Sequence, residues 1–218
     1  QDRRRAQHAQ LLIVNHAIFF SDLALRRSGV SILPDYDVVV LDEAHTIEGV
    51  AADHLGIRLT SGQIEYQLLK LYNPRTQKGL LSRYDLHDLQ QNVDRCRVRA
   101  DELFADLLDW QEARAPANGR VKEPLDIVNQ LSGELNKLAV DVKRVGAAEK
   151  EETDRQDYIA AHDRLVSLAG ELNAWHRQQL PGAVYWLESY QSRRGMPRLS
   201  LMASPIDVGP MLREHLFN

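Results

Sequence analysis

The chain has 218 residues, 44% hydrophobic and 27% charged, enough apolar material for one large domain or two small ones. Its formal net charge of −4 excludes a protein that is basic overall, so contact with nucleic acid must be local. The single cysteine, Cys96, excludes an internal disulfide, and no apolar run is long enough to span a bilayer, so we expect a cytoplasmic protein without a membrane partner.

Residues 1–59 have the pattern of an α/β unit. Residues 11–14 and 38–41 are short, fully apolar runs, typical of strands that are buried on both faces between helices. A helix is predicted over residues 17–27, and Thr46 is predicted to cap another that starts at Ile47. Strand, acidic loop and helix in this order fit a doubly wound sheet, in which the strand C-termini carry the chemistry.

Residues 60–180 are predicted to be helical. Thr60 and Gln63 form a capping-box pattern for a helix that ends near Tyr72. Three longer helices follow, separated by breaks at 115–124 and 146–152, and their apolar residues three and four apart predict antiparallel packing. The apolar residues of each helix form a stripe, which we call a seam. Cys96 lies on the seam of the first of these helices and is therefore interpreted as a core residue. The seams comprise Leu86, Leu89, Val93, Cys96, Ala100, Leu103 and Leu107; Val128, Leu131, Leu135, Leu138, Val142 and Val145; and Tyr158, Ala161, Leu165, Leu168, Leu172 and Trp175.

Residues 181–218 return to strand composition. Strands are predicted over 183–189 and 199–203, joined by a long loop as a hairpin, with a short helix reaching Phe217. The predicted fold is thus an α/β domain, formed in space by residues 1–59 and 181–218 and interrupted by a mainly α-helical antiparallel bundle at 60–180. The chain as a whole is predicted to be mostly α.

The sequence Asp42-Glu43-Ala44-His45 directly follows the second predicted strand. A carboxylate at this position, Asp42, is suited to hold Mg²⁺ through a water. Glu43 is suited to accept a proton from, or orient, the water that attacks the γ-phosphate of ATP, and His45 to relay the state of the phosphate. The alternative is that the two carboxylates only stabilise the N-terminus of the next helix. No Gly-x-x-x-x-Gly-Lys-Ser/Thr loop occurs, so we expect this chain alone neither to bind ATP tightly nor to hydrolyse it.

Four segments carry a family resemblance: residues 12–17 (LIVNHA), 33–48 (LPDYDVVVLDEAHTIE), 185–188 (YWLE) and 204–210 (SPIDVGP). Together they resemble the DinG-like branch of the XPD-type superfamily 2 DNA helicases. The resemblance implies an ATP-dependent, 5′-to-3′ helicase of DNA repair or replication-associated processing, with Asp42, Glu43 and His45 in its Walker B (DEAH) motif. It also implies that 1–59 and 181–218 belong to the first RecA-like motor domain and that 60–180 is an arch insertion that helps to enclose single-stranded DNA.

The same resemblance places several parts outside this chain. The Walker A loop and the cysteines of an iron–sulfur cluster, which only some relatives have, would precede Gln1, and the second motor domain would follow Asn218. The absence of an initiating Met agrees with a piece of a longer protein. Single-stranded DNA and the remainder of the motor domains are then the expected partners, with ATP and Mg²⁺ as cofactors.

Residues that contact DNA are not identified by the sequence. Trp175, Trp186 and Tyr190 are candidates for stacking on bases, with burial in the core as the alternative. Asn15-His16 is a candidate to face the nucleotide or DNA, with helix capping as the alternative. The histidines show no ligand spacing, so no zinc site is predicted. The basic candidates, for which a solvated face is the alternative, are Arg75, Lys78, Arg83, Arg95, Arg97, Arg99, Lys143 and Arg144.

A second hypothesis is a non-catalytic helical module that binds a protein or DNA. The three apolar seams favour it, and the apolar run that ends at Asp42 counts against it. Submicromolar binding of single-stranded DNA by this chain alone would favour such a module.

Overall fold

The computed structural model describes residues 6, 9–26, 31–83, 86–191, 195, 197–210 and 212–213, without the side chains of residues 24, 25 and 53. Its helices are α1 (His16–Arg26), α2 (Ile47–Leu55), α3 (Ser61–Leu71), α4 (His87–Arg114), α5 (Leu131–Ala148) and α6 (Glu152–His176), with a 3-10 turn at Ala44–Thr46. Its strands are β1 (Ile57–Thr60), β2 (Arg120–Val121), β3 (Ala183–Gln191) and β4 (Pro197–Pro205).

The chain divides into two compact units. The first unit comprises Gln1–Ile57, Pro181–Val184 and Ser204–Asn218, and the second unit comprises Arg58–Leu180 and Tyr185–Ala203. Most of β3 and β4 therefore belongs with the helices of the second unit. The assignment of 1–59, 60–180 and 181–218 to motor-domain and arch segments remains a prediction. Within the described ranges, no helix is both long and apolar enough to cross a membrane.

The second unit contains the helices that were predicted within residues 60–180. The capping box at Thr60 is confirmed: the Gln63 amide donates to Thr60 Oγ1 over 3.1 Å, and the Thr60 amide donates to Gln63 Oε1 over 2.9 Å. Helices α4 and α5 run antiparallel, since Asn92 binds Asp141 and Arg95 pairs with Glu134. Helices α5 and α6 also run antiparallel, since the His162 ring contacts the Ala139 carbonyl and Gly146 lies against Tyr158.

The predicted seams form the core of this unit. Every residue of the first and third seams is buried, including Cys96 and Trp175. The prediction for Val128 was wrong, since its side chain is 72% exposed. The Asn129 side chain accepts a hydrogen bond from the Ser132 amide, and α5 begins only at Leu131, beyond Val128.

A four-stranded antiparallel sheet completes the second unit, with the strand order β1-β4-β3-β2. The predicted strands near residues 183 and 199 are confirmed, although both are longer than expected. Strands β1 and β2 were missed: β1 alternates apolar and polar residues but is only four residues long, and β2 has only two residues. The indole Nε1 of Trp175 donates to the Met202 carbonyl over 2.8 Å, which fastens α6 to β4.

The first unit packs α1 against α2. The strands predicted over residues 11–14 and 38–41 are absent: both segments are irregular, and Ile13 and Val40 are 93% and 90% exposed. A strand forms only where a neighbour satisfies its backbone amide and carbonyl groups. The described residues place no strand beside either segment. The buried core of this unit consists of Phe19, Phe20, Leu23, Leu33, Ala51, Leu55 and Val208. The final predicted helix is seen at residues 209–210 and 212–213, and its remainder lies outside the described residues.

Candidate functional site

The Asp42–His45 segment forms a tight turn at the start of α2. Glu43 adopts the left-handed conformation, with φ 48° and ψ 48°, and the 3-10 turn follows it. Non-glycine residues adopt this conformation uncommonly, and it costs free energy, so the surrounding contacts must hold it in place. The Thr46 amide and hydroxyl both donate to the Glu43 carbonyl, over 2.9 and 3.0 Å.

The carboxylates of Asp42 and Glu43 have different partners. Oδ1 of Asp42 accepts the Glu43 amide over 2.9 Å, whereas Oε2 of Glu43 lies 3.3 Å from Nδ1 of His45. All three side chains are exposed. The turn therefore keeps two adjacent carboxylates separately available, which is what a metal ligand and a proton acceptor would require.

Asp42 suits a magnesium ion as a single ligand. Its Oδ2 has no protein hydrogen-bond partner within the described part of the chain, and Mg²⁺ commonly keeps several waters and uses only one or two carboxylates. No group of three His, Cys, Asp or Glu side chains that could hold a metal occurs among the described residues. The donor set thus fits a hydrated Mg²⁺ shared with phosphate oxygens and does not fit a metal held by protein ligands alone.

The Asn15-His16 pair lies beside this turn. Nδ1 of His16 is 3.1 Å from Oγ1 of Thr46, and Oδ1 of Asn15 accepts the Ile18 amide over 2.8 Å. Asn15 therefore caps α1, the alternative left open by its sequence position, while His16 contacts the candidate site. The predicted capping of α2 by Thr46 was wrong, because its hydroxyl bonds to Glu43 and His16 instead of an amide in α2.

A partly buried ion pair between Asp22 and Arg26 fixes the connector that leads to residue 38. Oδ1 of the fully buried Asp22 accepts the amides of Ile32 and Leu33 over 2.6 and 2.9 Å, and Oδ2 accepts Nε of Arg26 over 2.6 Å. Arg26 also binds Asp35 and the carbonyls of Leu33 and Pro34, each over 3.0 Å.

The carboxylate of Asp22 is held ionised by these contacts. Burial raises the pKa of Asp22, but hydrogen bonds from Arg26 and from the Leu33 and Ile32 amides outweigh burial and leave the pKa below its ordinary value. The sequence analysis missed this network. The four-residue spacing of Asp22 and Arg26 was its one visible sign, and spacing alone does not reveal burial.

The two exposed apolar segments line the same cavity. Residues 9–14 and 33–42 surround an open space of about 760 Å³ in the first unit, and Asp42 is among the lining residues. The segments predicted as strands thus face a common apolar space, next to the acidic turn, without pairing with each other.

Most of the basic candidates are already neutralised in the structure. Arg83, Arg95, Arg97, Arg99 and Arg144 all pair with carboxylates. Within the described residues, no carboxylate pairs with the remaining three, which are exposed: Arg75, Lys78 and Lys143.

The three aromatic candidates and Cys96 differ in how far they are buried. Trp175 is core, Trp186 Nε1 donates to Glu188, and Tyr190 is 45% exposed on β3. Burial, followed by the nearby Glu134 charge, raises the pKa of the Cys96 thiol to about 12, so this thiol is protonated and inert at neutral pH.

Comparison with known proteins indicates the class of protein that the chain is similar to, which is the ATP-dependent DNA helicases. It is 27% identical to "ATP-dependent DNA helicase YoaA" of Escherichia coli, over 97% of this chain and 31% of that protein. The protein of the same name from Haemophilus influenzae is 37% identical over 41% of this chain and 13% of its own length. The "3'-5' exonuclease DinG" of Bacillus subtilis is 26% identical over 62% of this chain and 15% of its own length.

These relatives confirm the resemblance to the DinG-like helicases that the sequence motifs indicated. No family model matches the chain. The chain spans about a third or less of the length of each of these curated relatives.

Proposed function

We propose that this chain is part of an ATP-dependent DNA helicase and that Asp42-Glu43-Ala44-His45 is its Walker B motif. The observation that carries the proposal is the left-handed turn at Glu43, which keeps two adjacent carboxylates exposed at the start of α2 in a homologue of helicases. Helix capping alone does not account for this turn, because neither carboxylate bonds to an amide of α2.

Each residue of the motif has a distinct role in the proposal. Asp42 holds the Mg²⁺ of the nucleotide through a water, and Glu43 orients or deprotonates the water that attacks the γ-phosphate. His45, 3.3 Å from the Glu43 carboxylate, holds that side chain and transmits the state of the phosphate. His16 belongs beside them as a positioning residue, since it contacts Thr46 in the same turn.

The remaining parts of the site belong to the longer protein. In this proposal the exposed segments 11–14 and 38–41 become strands of a parallel RecA-like sheet, and the apolar cavity between them is filled by other parts of that domain. Residues 60–180 act as an arch that helps to enclose single-stranded DNA during 5′-to-3′ translocation. The Walker A loop, the second motor domain and any iron–sulfur cluster lie outside the chain, and the protein acts in the cytoplasm in DNA repair or replication-associated processing.

The Glu43→Gln variant of the full-length protein tests the proposal. We expect it to lose ATP turnover by at least about 100-fold while still binding nucleotide, because only the proton acceptor is removed. Glu48→Gln is the matched control: Glu48 is an exposed carboxylate in the first turn of α2 and should be dispensable. Normal turnover by Glu43→Gln would refute the catalytic assignment. We expect no ATPase activity from the 218-residue chain alone.

The alternative function is a helical binding module without catalysis. The packed bundle favours it, as do the exposed Arg75, Lys78 and Lys143, which pair with no carboxylate among the described residues. Fluorescence titration with single-stranded DNA separates the two, since submicromolar affinity for this chain alone would favour the module.

A further inference from the structure

The Thr46 side chain connects the acidic turn to helix α1. Its hydroxyl donates to the Glu43 carbonyl over 3.0 Å, and the same Oγ1 atom lies 3.1 Å from Nδ1 of His16, the first residue of α1. The Thr46 amide also donates to the Glu43 carbonyl, over 2.9 Å, but every residue except proline has an amide to donate. The hydroxyl is therefore the part of Thr46 that links Glu43 to α1.

The direction of both hydrogen bonds follows from the protons available. A hydroxyl has one proton to donate, and the Thr46 proton is directed at the Glu43 carbonyl, so Oγ1 can only accept from His16. Nδ1 of His16 must then carry a proton. A neutral His16 ring is consequently the Nδ1–H tautomer, which leaves Nε2 without a proton. The two donors form a relay that runs from His16 through Thr46 to Glu43.

Helix α1 is a fixed support for this relay. Oγ of Ser21 lies 3.2 Å from Nδ1 of His54, which ties α1 to the last turn of α2. The two helices also share most of the buried core of the first unit, and their contributions to it are Phe19, Phe20 and Leu23 from α1 and Ala51 and Leu55 from α2. His16 is thus held in place independently of its contact with Thr46.

Glu43 needs such a support because of its backbone conformation. Its φ of 48° lies in the left-handed region, which a glutamate adopts only when surrounding contacts hold it there. The Glu43 carboxylate contacts His45, whose side chain is itself 75% exposed and therefore a weak anchor. Among the described residues, the Thr46 hydroxyl is the one side-chain group that links Glu43 to another helix.

His16 also lies next to the exposed apolar segment 11–14. Only Asn15 separates the two in the chain, and His16 lines the same cavity as residues 11–14 and Asp42. A displacement of segment 11–14 therefore moves the first residue of α1, and with it the donor on which the Thr46 hydroxyl rests.

We propose that helix α1 sets the conformation of the acidic turn through this relay, with Thr46 and His16 as positioning residues for Glu43. A shift of segment 11–14 reaches Glu43 by this route, so the relay makes the Glu43 turn sensitive to what contacts that segment. The catalytic use of Glu43 rests on the proposed function, whereas the support of its backbone does not.

Nuclear magnetic resonance of the 218-residue chain tests the structural half. A positive φ near 50° brings the amide and Hα protons of a residue closer together than any negative φ does, so Glu43 should show a strong intraresidue NOE. Thr46→Val, which removes the hydroxyl but keeps the side-chain shape, should weaken this NOE, and Thr46→Ser should retain it. Ring nitrogen shifts of neutral His16 should show the Nδ1–H tautomer and lose this preference in Thr46→Val.

Turnover of ATP by the full-length protein tests the functional half. Thr46→Val should lower kcat by up to about 100-fold, the loss that misplacing a reacting group by about 1 Å can produce, with little change in KM. His16→Leu should act likewise. His16→Asn should recover most of kcat, because its side-chain NH₂ can replace the Nδ1–H donor. The double variant of Thr46→Val and His16→Leu should be no worse than Thr46→Val, since both break one relay.

Ser21→Ala is the matched control. It removes the other hydrogen bond between α1 and the α2 region, the one to His54, without a contact to Glu43. Its kcat and its Glu43 NOE should therefore be near normal, whereas a role in helix packing alone would make Ser21→Ala and Thr46→Val equivalent. Circular dichroism verifies folding, and His16→Leu, which should also weaken the NOE, serves if Thr46→Val does not fold.

Three outcomes would overturn the proposal: an unchanged Glu43 NOE in the folded Thr46→Val or His16→Leu chain, a kcat loss for Ser21→Ala as large as that for Thr46→Val, or equal losses for His16→Asn and His16→Leu. The NOE and tautomer measurements need no ATP. Normal turnover by Glu43→Gln would refute the proposed function and leave the NOE result standing. An unchanged NOE in Thr46→Val together with an inactive Glu43→Gln would refute this inference alone.

Discussion

The two units differ in how far their apolar side chains are buried. In the second unit, the long helices bury nearly all of their apolar seam residues, and Leu135 and Leu165 are fully inaccessible. In the first unit, the equally apolar segments 11–14 and 38–41 leave Ile13 and Val40 almost wholly in solvent. The second unit thus has a closed apolar core, whereas segments 11–14 and 38–41 of the first unit leave apolar side chains uncovered.

The difference follows from how helices and strands satisfy their backbones. A helix pairs its own amide and carbonyl groups, so an apolar stripe every three or four residues is enough to specify both the element and its buried face. A parallel strand needs neighbours from distant parts of the chain. Local sequence can therefore indicate that a segment is suited to be a strand without supplying the partner.

The largest contrast should come from one apolar truncation in each unit. Leu165→Ala in the bundle should lower the free energy of unfolding by about 2–5 kcal/mol, because it removes a fully buried side chain and leaves a cavity. Val40→Ala should change it by less than about 0.5 kcal/mol, because that side chain is exposed. Thermal unfolding followed by far-ultraviolet circular dichroism compares the two. A loss of 2 kcal/mol or more for Val40→Ala would show that segment 38–41 is packed.

Helix packing in the bundle predicts opposite effects for two glycines. A Cβ atom at Gly146 on α5 would collide with the Cβ of Tyr158 on α6, so Gly146→Ala should destabilise the second unit by about 1–3 kcal/mol. Gly170→Ala on the exposed face of α6 meets nothing within 4 Å and should stabilise it by about 0.5–1 kcal/mol. Urea unfolding followed by tryptophan fluorescence measures both, because Trp110, Trp175 and Trp186 all lie in the second unit. Stabilisation by both substitutions would mean that α5 and α6 do not pack this closely.

The Asp22 network predicts an acid-sensitive connector in the first unit. The folded-state pKa of Asp22 lies below its ordinary value. The stabilisation that this carboxylate contributes is therefore complete at neutral pH and is lost as the pH falls through the depressed pKa. Asp22→Asn should cost about 1–3 kcal/mol at pH 7 and remove this pH dependence. The amide resonances of Ile32 and Leu33, which bond to Asp22, report the titration by NMR.

Asp37→Asn is the control for the Asp22 substitution. Asp37 is an exposed carboxylate close to the same connector, and its replacement should leave both resonances titrating normally. Titration of the Ile32 and Leu33 amides that persists in Asp22→Asn would assign the effect to another group.

The smallest expected effect is at the start of α3. Thr60→Ala removes one half of the capping box and should destabilise the second unit by about 1 kcal/mol. Thr46→Ala, at the corresponding position before α2, removes no capping bond, because the Thr46 hydroxyl bonds to the Glu43 carbonyl and His16 instead, so it should lower helix content less than Thr60→Ala. Helix content at low urea concentration, followed by circular dichroism, checks the pair.

The sequence predicted the parts of the molecule that depend on local pattern. The bundle helices, the Thr60 capping box, the core position of Cys96 and the strands near residues 183 and 199 were all visible in spacing and composition. The Glu43 turn, the His16–Thr46 contact and the Asp22–Arg26 network were not, because each depends on where the backbone places residues that spacing alone does not bring together. The assignment of Asp42 and Glu43 to nucleotide chemistry came from the motif, and its catalytic content remains a prediction.

Hydrogen exchange in two contexts tests most directly whether the first unit is an incomplete motor domain. The amides of residues 12–14 and 38–41 should exchange nearly as fast as in an unfolded chain when the 218-residue chain is measured alone. In the full-length protein the same amides should be strongly protected, because neighbouring strands would then pair with them. Rapid exchange of both segments in the full-length protein as well would contradict the account.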